Sequence, residues 1–141
     1  MTSAVIRSSG KNGITVAGLS VDCDGRKTGQ QGILIQPVFV NDVPTEGGDD
    51  VCVRDCYVYD SYGGTPEGIE GQETTIGSIV LYFCTRARAI DNVIERCQLA
   101  ATMGPGVIVS RNICRQARNQ SISVVQLGGT MPDVEGCIVS D

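Results

Sequence analysis

Val53-Arg-Asp-Cys-Tyr-Val58 is the stretch that decides the fold, because its pattern returns four more times along the chain. The pattern reads apolar-x-x-small or polar-x-apolar, and each copy predicts an extended strand that turns a corner and resumes. A unit repeated in this way is typical of a solenoid, in which successive units bury one another. The other copies are Val16-Ala-Gly-Leu-Ser-Val21, Ile94-Glu-Arg-Cys-Gln-Leu99, Val109-Ser-Arg-Asn-Ile-Cys114 and Val134-Glu-Gly-Cys-Ile-Val139.

The composition of the 141 residues favours strands packed around a narrow core. There are 18 Gly, four Tyr, two Phe and no Trp, so few large aromatic side chains are available for a conventional core. The apolar residues are mainly Val, Ile, Leu, Ala and Cys. Branched side chains such as Val and Ile pack well on a pleated surface. Medium-sized side chains of this kind fill the layers of a solenoid.

The chain has seven Cys and no His. Most of the Cys lie in or beside the repeated pattern, where free Cys acts as a small buried hydrophobic residue. We therefore expect reduced, structural thiols and assembly in a reducing cytoplasm. Without His, the mixed Cys and His zinc sites are excluded, and no metal or cofactor is expected. Neither a signal peptide nor an apolar run long enough to span a membrane is found, so no membrane association is expected.

Charges of opposite sign are concentrated in different parts of the chain. Between Asp42 and Glu73 nine carboxylates stand against Arg54 alone, whereas six Arg lie between Arg86 and Arg118. The separation predicts either two solvated surfaces or docking between oppositely charged surfaces, head to tail or side by side. The net charge of −5 disfavours binding to nucleic acid, which needs a basic surface.

Turn-forming residues divide the chain into a short arm and one domain. Residues 1–11 are small and polar, and they predict an N-terminal arm or a partial strand. The remainder, residues 12–141, predicts a single domain of short strands with two inserted loops, residues 41–50 and 61–75, which are rich in Gly and acidic residues. Helical periodicity is nearly absent, and residues 85–90 are the best candidate for a short helix.

The copies of the repeated pattern resemble the repeats of right-handed parallel β-helix proteins of the pectin-lyase-like kind. The resemblance runs from about residue 12 to residue 141, and it implies an all-β solenoid of about four to six coils with loop insertions. Proteins of this kind include polysaccharide lyases, glycoside hydrolases, phage tailspikes and small virion proteins. The alternative fold is an antiparallel sandwich or jelly roll, which predicts evenly spaced strands and hairpin turns.

No complete set of catalytic residues emerges from the sequence. A glycoside hydrolase needs two carboxylates that face each other across a groove, and a calcium-dependent lyase needs several oxygen ligands with a basic residue. Triads built on His are excluded. The carboxylate pairs that come closest are Asp22 with Asp24, Asp49 with Asp50, and Asp55 with Asp60, and the acid–Arg pairs are Arg54 with Asp55 and Glu95 with Arg96. Ordinary surface charge is the simpler interpretation of all of them, and no catalytic residue is predicted.

Three functions are consistent with this pattern. The first is a non-enzymatic structural protein of a phage or virus particle, either a capsid cement (decoration) protein or a short fibre segment. The resemblance implies a homotrimer, because similar proteins commonly form trimers. The protein is also expected to bind the major capsid protein or another virion component. The second is a polysaccharide lyase or hydrolase. The third is a glycan-binding module that stacks sugars on Tyr57, Tyr59, Tyr62 and Tyr82, although packing of these residues on the surface is the simpler interpretation.

Overall fold

The computed structural model describes residues 3–23, 30–60, 78–96, 99–100, 105–116, 122–123 and 138–140. Within these ranges the protein is all-β and contains no helix. The predicted helix at residues 85–90 is wrong, because Arg88–Ile90 is a strand. The strands are β1 Ser3–Ser9, β2 Thr15–Ala17, β3 Ser20–Asp22, β4 Gln30–Gln36, β5 Val38–Val40, β6 Val43–Glu46, β7 Cys52–Arg54, β8 Tyr57–Tyr59, β9 Ile79–Leu81, β10 Arg88–Ile90, β11 Val93–Glu95, β12 Leu99–Ala100, β13 Ile108–Ser110, β14 Ile113–Arg115, β15 Ile122–Ser123 and β16 Ile138–Ser140.

Three parallel sheets account for fourteen of these strands. The first sheet has the order β1-β4-β9-β12-β15, the second β2-β7-β10-β13-β16 and the third β3-β8-β11-β14. The chain visits the sheets in turn, so each pass adds one strand to each sheet. The first pass is β1 to β3, the second contains β4, β7 and β8, and the third and fourth are β9 to β11 and β12 to β14. The parallel pairing excludes the antiparallel sandwich or jelly roll.

The connection between the second and third sheets has the same form on the four passes that the structure describes there. Two residues separate the strands, and the first of them has a positive φ: Gly18 at 68°, Asp55 at 54°, Asp91 at 55° and Arg111 at 52°. This left-handed conformation turns the chain sharply at little cost for Gly and Asp, and at a higher cost for Arg. The repeated pattern in the sequence is therefore the signature of this connection, which we call the repeated corner.

Buried amide groups close the repeated corner from inside. The carbonyl Oδ1 of Asn92 accepts the backbone N–H of Cys56 at 3.0 Å, and its Nδ2 donates to the Val53 carbonyl at 3.1 Å. The same Nδ2 donates to Oδ1 of Asn112 at 2.9 Å, and Asn112 donates in turn to the carbonyl of Ala89 at 2.7 Å. Asn92 is completely buried, so these bonds satisfy backbone groups that water cannot reach.

The core lies between the three sheets and consists of one layer of side chains for each pass. Equivalent positions on neighbouring strands carry Val53, Ala89 and Val109 in the second sheet, and Val21, Val58 and Ile94 in the third. The first sheet adds Ile33, Ile35, Ile79 and Leu81, which are all essentially inaccessible to solvent. The predicted narrow core of medium-sized residues is therefore confirmed for the described strands.

The strand pairing shifts two of the five copies of the sequence pattern. Ile94 pairs with Val58, so it occupies the second apolar position of its corner and not the first. The corner residue of that pass is Asn92, where the pattern had placed Cys97. Val139 pairs with Val109 and so takes the first apolar position. The pattern misplaced these copies because apolar residues alternate on both sides of the corner. An apolar residue of the strand after the corner can therefore be mistaken for one of the strand before it, and the reverse.

Two segments predicted to lie outside the main strands contain strands. For residues 1–11 an arm or a partial strand was predicted, and the strand is observed: β1 pairs with β4, and Ile6 packs against the core beside Ile33. Within the predicted loop, residues 41–50, β6 pairs antiparallel with β5. Asn41 and Asp42 connect them with φ of 50° and 63°, and two positive φ values are typical of a tight type I′ hairpin turn. The other predicted loop, residues 61–75, lies outside the described residues.

Candidate functional site

Ion pairs between consecutive passes unite the acidic and basic regions of the sequence. Arg86 pairs with Asp49, Arg88 pairs with Asp50 at 3.1 Å, and Arg96 binds Asp60 through two hydrogen bonds of 2.5 and 3.0 Å. Arg111 and Asp91 form the same two-bond contact one pass later. The acidic second pass therefore lies against the Arg-rich third pass of the same chain, and these groups need no external partner.

The candidate catalytic carboxylates take part in this pairing. Asp49 also accepts a hydrogen bond of 2.8 Å from the Thr85 hydroxyl, and Asp55 pairs with its neighbour Arg54. The hydrogen bond from Arg96 lowers the pKa of Asp60, and the hydrogen bond from Arg111 lowers the pKa of Asp91. A lowered pKa is the opposite of what a general acid needs. Asp24, the proposed partner of Asp22, lies outside the described residues.

No metal-binding cluster is present in the described part of the chain, where no three His, Cys, Asp or Glu side chains converge. Of the acid–Arg pairs considered for a lyase, Arg96 donates to its neighbour Glu95 at 2.6 Å, and Arg54 donates to Asp55. Each Arg is thus held by a carboxylate. An Arg that serves as a base must give up its proton, and the hydrogen bond to Asp60 raises the pKa of Arg96 instead.

Two of the four Tyr form an outward-facing pair on the third sheet. The rings of Tyr57 and Tyr59 stack with their centroids 5.0 Å apart at an interplanar angle of 26°. The Tyr57 hydroxyl donates to Oε2 of Glu95 at 2.8 Å, and this bond raises the pKa of Tyr57. Partial desolvation and the neighbouring Asp22 raise the pKa of Tyr59. The pair is therefore held in place by carboxylates of the strands on either side.

The remaining Tyr do not extend this pair. Tyr82 belongs to a separate aromatic cluster, in which Phe39 lies 5.6 Å from Tyr82 and 5.2 Å from Phe83 between ring centroids. Tyr62 lies outside the described residues. Of the four Tyr named for glycan binding, the structure therefore brings Tyr57 and Tyr59 together and places Tyr82 apart from them.

The hairpin of β5 and β6 carries an exposed apolar surface. Val40 and Val43 face each other across the two strands and are 54% and 53% exposed, and Val38 is exposed as well. Asp42 and Glu46 are the charged residues of residues 38–46, and both are exposed. We call these five residues the hairpin patch. The sequence contained a signal for the hairpin turn, since Asn41-Asp42 stands between branched residues. The neighbouring Gly and acidic residues nevertheless favoured the prediction of a loop.

A second exposed apolar surface lies on the outer face of the third sheet. Tyr57, Val93 and Ile113 are directly paired neighbours on β8, β11 and β14. Ile113 is 50% exposed and Tyr57 is 37% exposed. Arg115, two residues beyond Ile113 on the same strand, is also exposed. We call these four residues the sheet patch. Sequence analysis missed it because strands far apart along the chain bring the residues together.

The described cysteines are all free thiols, and most are buried. Burial raises the pKa of Cys84 to about 12 and also raises the pKa of Cys52. The reactive form of Cys is the thiolate, so a raised pKa makes these thiols poor nucleophiles. Of the Cys in or beside the repeated pattern, Cys52 and Cys56 are buried as predicted and Cys114 is partly buried, whereas Cys97 and Cys137 lie outside the described residues.

No family model, curated protein or solved structure matches this chain. Among the described residues, no helix is long and apolar enough to cross a membrane. The function must therefore be argued from the two patches, the ion pairs and the architecture of the sheets.

Proposed function

We propose that the three parallel sheets are the faces of a short right-handed parallel β-helix of the pectin-lyase-like kind. Two features support this proposal: the chain visits the three sheets in the same order on each pass, and corner residues stack on one another from pass to pass. Connections between parallel strands of one sheet are almost always right-handed, because strands twist to the right. A helix of this kind adds one coil for each pass.

The proposed function is that of a non-enzymatic structural protein of a phage or virus particle. In this role the chain is a capsid cement (decoration) protein, or a short fibre segment. It assembles in the host cytoplasm, forms a homotrimer, and binds the major capsid protein or another virion component. Nucleic acid, membrane and cofactors have no part in this role.

The observation that carries this proposal is that the three strands of the first pass, β1, β2 and β3, form an uncovered end of the three sheets in the described part of the chain. Strands β1, β2 and β3 are each the terminal strand of their sheet, so their outer backbone groups have no partner strand among the described residues. The core residues beneath them, Ile6, Ile14 and Val16, are only partly buried. Sheet edges and uncovered core layers favour association. On a virus particle, a neighbouring protein could cover this end of the three sheets.

The ion pairs and the thiols support the non-enzymatic part of the proposal. The Arg and Asp side chains that could do chemistry bind each other across passes, and burial raises the pKa values of Cys52 and Cys84. Ion pairs of this kind hold consecutive passes together, and the hydrogen bonds from Arg96 and Arg111 lower the pKa values of Asp60 and Asp91, which is the opposite of what a general acid needs.

Two measurements test the proposal. Mass spectrometry of purified particles from the host that encodes the chain should find it in fixed proportion to the major capsid protein, and native mass spectrometry of the isolated protein should give the mass of three chains. Absence from purified particles would contradict the virion role. A monomer at micromolar concentration would contradict the homotrimer while leaving attachment to the particle open to the first measurement.

The second candidate function is glycan binding, and the Tyr57–Tyr59 pair favours it. Two stacked rings with carboxylate and guanidinium groups beside them provide an apolar surface together with hydrogen-bond donors and acceptors. Tyr57→Ala should abolish retention of the protein on an immobilised polysaccharide, whereas Tyr82→Ala, in the other aromatic cluster, should not. Equal retention of both variants and the wild type would remove this function. A polysaccharide lyase or hydrolase is the third possibility, and release of new sugar ends would reveal it.

A further inference from the structure

We propose that Asn12 is a site of spontaneous deamidation, and that the backbone of Asp49 controls the reaction. Asn12-Gly13 is the one Asn-Gly pair in the sequence, and both residues are exposed. Asn12 lies between β1 and β2, where the first pass turns from the first sheet to the second. The proposal goes beyond the function proposed above and does not depend on it.

The reaction needs only the chain itself and water. The backbone nitrogen of Gly13 loses its proton and attacks Cγ of Asn12, so that a bond forms between these two atoms. The bond from Cγ to Nδ2 breaks, and the nitrogen takes up the proton and leaves as ammonia. The product is a five-membered cyclic imide. Water then adds to one of the two ring carbonyls, and the ring opens to aspartate or to isoaspartate, with no atom oxidised or reduced.

The residue that follows each Asn decides how easily the ring closes. Gly13 has no side chain, and a Cβ built there would meet no atom within 4 Å, so nothing crowds the ring. Asn92 and Asn112, by contrast, are each followed by a branched residue, which crowds the attacking nitrogen. Asn92 is also completely buried. The reaction is therefore expected at Asn12 before it is expected at either of these two.

Asp49 holds both reacting groups through its own backbone. Its N–H donates to Oδ1 of Asn12 at 3.0 Å, and its carbonyl accepts the N–H of Gly13 at 3.0 Å. The second bond covers the proton that Gly13 must lose. The first bond fixes the amide group, which must turn so that Cγ faces the attacking nitrogen. The reaction therefore waits until Asn12 and Gly13 separate from Asp49.

Contacts with the third pass hold Asp49 in place. The Thr85 hydroxyl donates to Oδ1 of Asp49 at 2.8 Å, and Arg86 forms an ion pair with the other carboxylate oxygen. The backbones of Asp49 and Thr85 also form a parallel bridge. Asp49 is thus tied to the strands that follow it, and it stays behind when the first pass moves away.

The first pass has the fewest contacts to keep it closed. Its strands β1 and β2 each pair with one neighbouring strand, and Ile6, Ile14 and Val16 are only partly buried. In a stack in which each layer touches only its neighbours, a terminal layer opens at the lowest cost. Isoaspartate lengthens the backbone by one carbon atom, so the two bonds to Asp49 cannot both form again. Deamidation therefore records each opening that leads to reaction and keeps the first pass apart.

Peptide mapping by mass spectrometry during incubation of the full-length protein measures the reaction at each Asn. In the folded wild type, conversion should occur at Asn12 and give both aspartate and isoaspartate, with uptake of labelled oxygen from labelled water. In urea, which separates the passes, the rate at Asn12 should rise roughly tenfold or more, because the reaction rate follows the population of the open form.

Matched substitutions test whether the first pass is the part that opens. Ile6→Val weakens the packing of β1, and Ile94→Val makes the same change in the third pass. Ile6→Val should accelerate conversion of Asn12 roughly threefold, whereas Ile94→Val should leave the rate unchanged. Thr85→Val removes the hydroxyl group that holds Asp49 and should accelerate conversion roughly fivefold. Circular dichroism checks that all three variants are folded.

The possible failures are distinct. Equal rates in the folded protein and in urea would show that Asp49 does not control the reaction, and would overturn the proposal. Conversion of Asn41 or Asn112 before Asn12 would overturn the choice of site. Equal acceleration in Ile6→Val and Ile94→Val would mean that the whole protein unfolds before Asn12 reacts, which would overturn the assignment to the first pass. The presence of the chain in purified particles, measured separately, would still decide the proposed function.

Discussion

The repeated corner and the β5–β6 hairpin both change the direction of the chain, yet they differ in almost every other respect. The corner uses two residues on each of the four passes that the structure describes there, and Asn92 and Cys56 are buried in it. The hairpin lies in the connection from the first sheet to the second and exposes Val40 and Val43. The buried second position of the corner, Cys56 or Asn92, lies where backbone groups must find partners, whereas Val40 and Val43 of the hairpin are exposed. Buried hydrogen bonds are therefore concentrated at the corner, whereas the hairpin exposes apolar side chains to solvent.

Breaking the corner should have the largest effect. Asn92→Leu preserves the volume but leaves the N–H of Cys56 buried without its partner, and it removes the hydrogen bonds that the amide donates to Val53 and Asn112. Since an orphaned buried group costs about 1–3 kcal/mol and each lost hydrogen bond about 1 kcal/mol, the free energy of unfolding should fall by roughly 3 kcal/mol. Urea unfolding followed by circular dichroism measures the loss.

The matched control for this change is Asn12→Ala. Asn12 also accepts a backbone hydrogen bond, from the N–H of Asp49 at 3.0 Å, but at an exposed position. Its loss should cost less than about 1 kcal/mol, because water replaces the bond. Equal losses in the two variants would show that burial of the amide is not what makes the corner important.

Crowding the interior should have the next largest effect. A Cβ added at Gly32 would lie 2.5 Å from Cγ1 of Val58 and 2.6 Å from the Ser78 carbonyl. Gly32→Ala should therefore lower the unfolding free energy by roughly 1–3 kcal/mol, as overpacking of a core does. Gly13→Ala is the comparison, because it meets no atom within 4 Å and tests only the strain of a φ of 63°. A smaller loss for Gly32→Ala than for Gly13→Ala would contradict the close packing of the first sheet against the third.

Breaking the hairpin should have a smaller and local effect. Phe39→Ala removes the ring contacts to Tyr82 and Phe83, and each such contact contributes about 0.5–1.5 kcal/mol. Amide hydrogen exchange should then accelerate across residues 38–46 while exchange at β7 and β10 remains slow. Phe39→Leu, which keeps an apolar side chain, should protect the hairpin partly. Uniform acceleration over the whole protein would mean that the hairpin and the stack unfold as one unit.

Titration of the ion pairs should have the smallest effect. Arg96 lowers the pKa of Asp60, so the stabilisation from this pair is complete above the ordinary Asp pKa of about 3.9 and is lost as pH falls toward the lower folded value. The urea midpoint of the wild type should decline from about pH 5 downward, and the decline should be shallower in Asp60→Asn. An unchanged pH dependence in this variant would show that the Arg96 contact does not stabilise the folded state.

The sequence anticipated the features that repeat. The corner within the repeated pattern and the narrow core of branched side chains follow from residue spacing and composition, since alternation along short strands fixes which side chains face inward. Its errors fell where local patterns are ambiguous: Ile94 was assigned to the wrong side of its corner, and Asn92 was missed. Residues 41–50 were assigned to a loop because Gly and acidic residues outweighed the Asn41-Asp42 turn. Of the candidate site, the sequence identified Tyr57 but neither of the two patches.

By itself the sequence determined that the chain is built from short strands around a core of branched side chains, and that its described Cys are structural, because composition and periodicity are local properties. Only the tertiary structure decided which residues become neighbours. In the sequence, Asp49 and Arg86 belong to separate charged regions. In the structure, pairing between consecutive passes places them in contact. Ile113 stands at a variable position of its copy of the pattern, and only strand pairing places it beside Val93 and Tyr57. Contacts across a parallel sheet join residues 20 or more positions apart, and no local pattern contains that information.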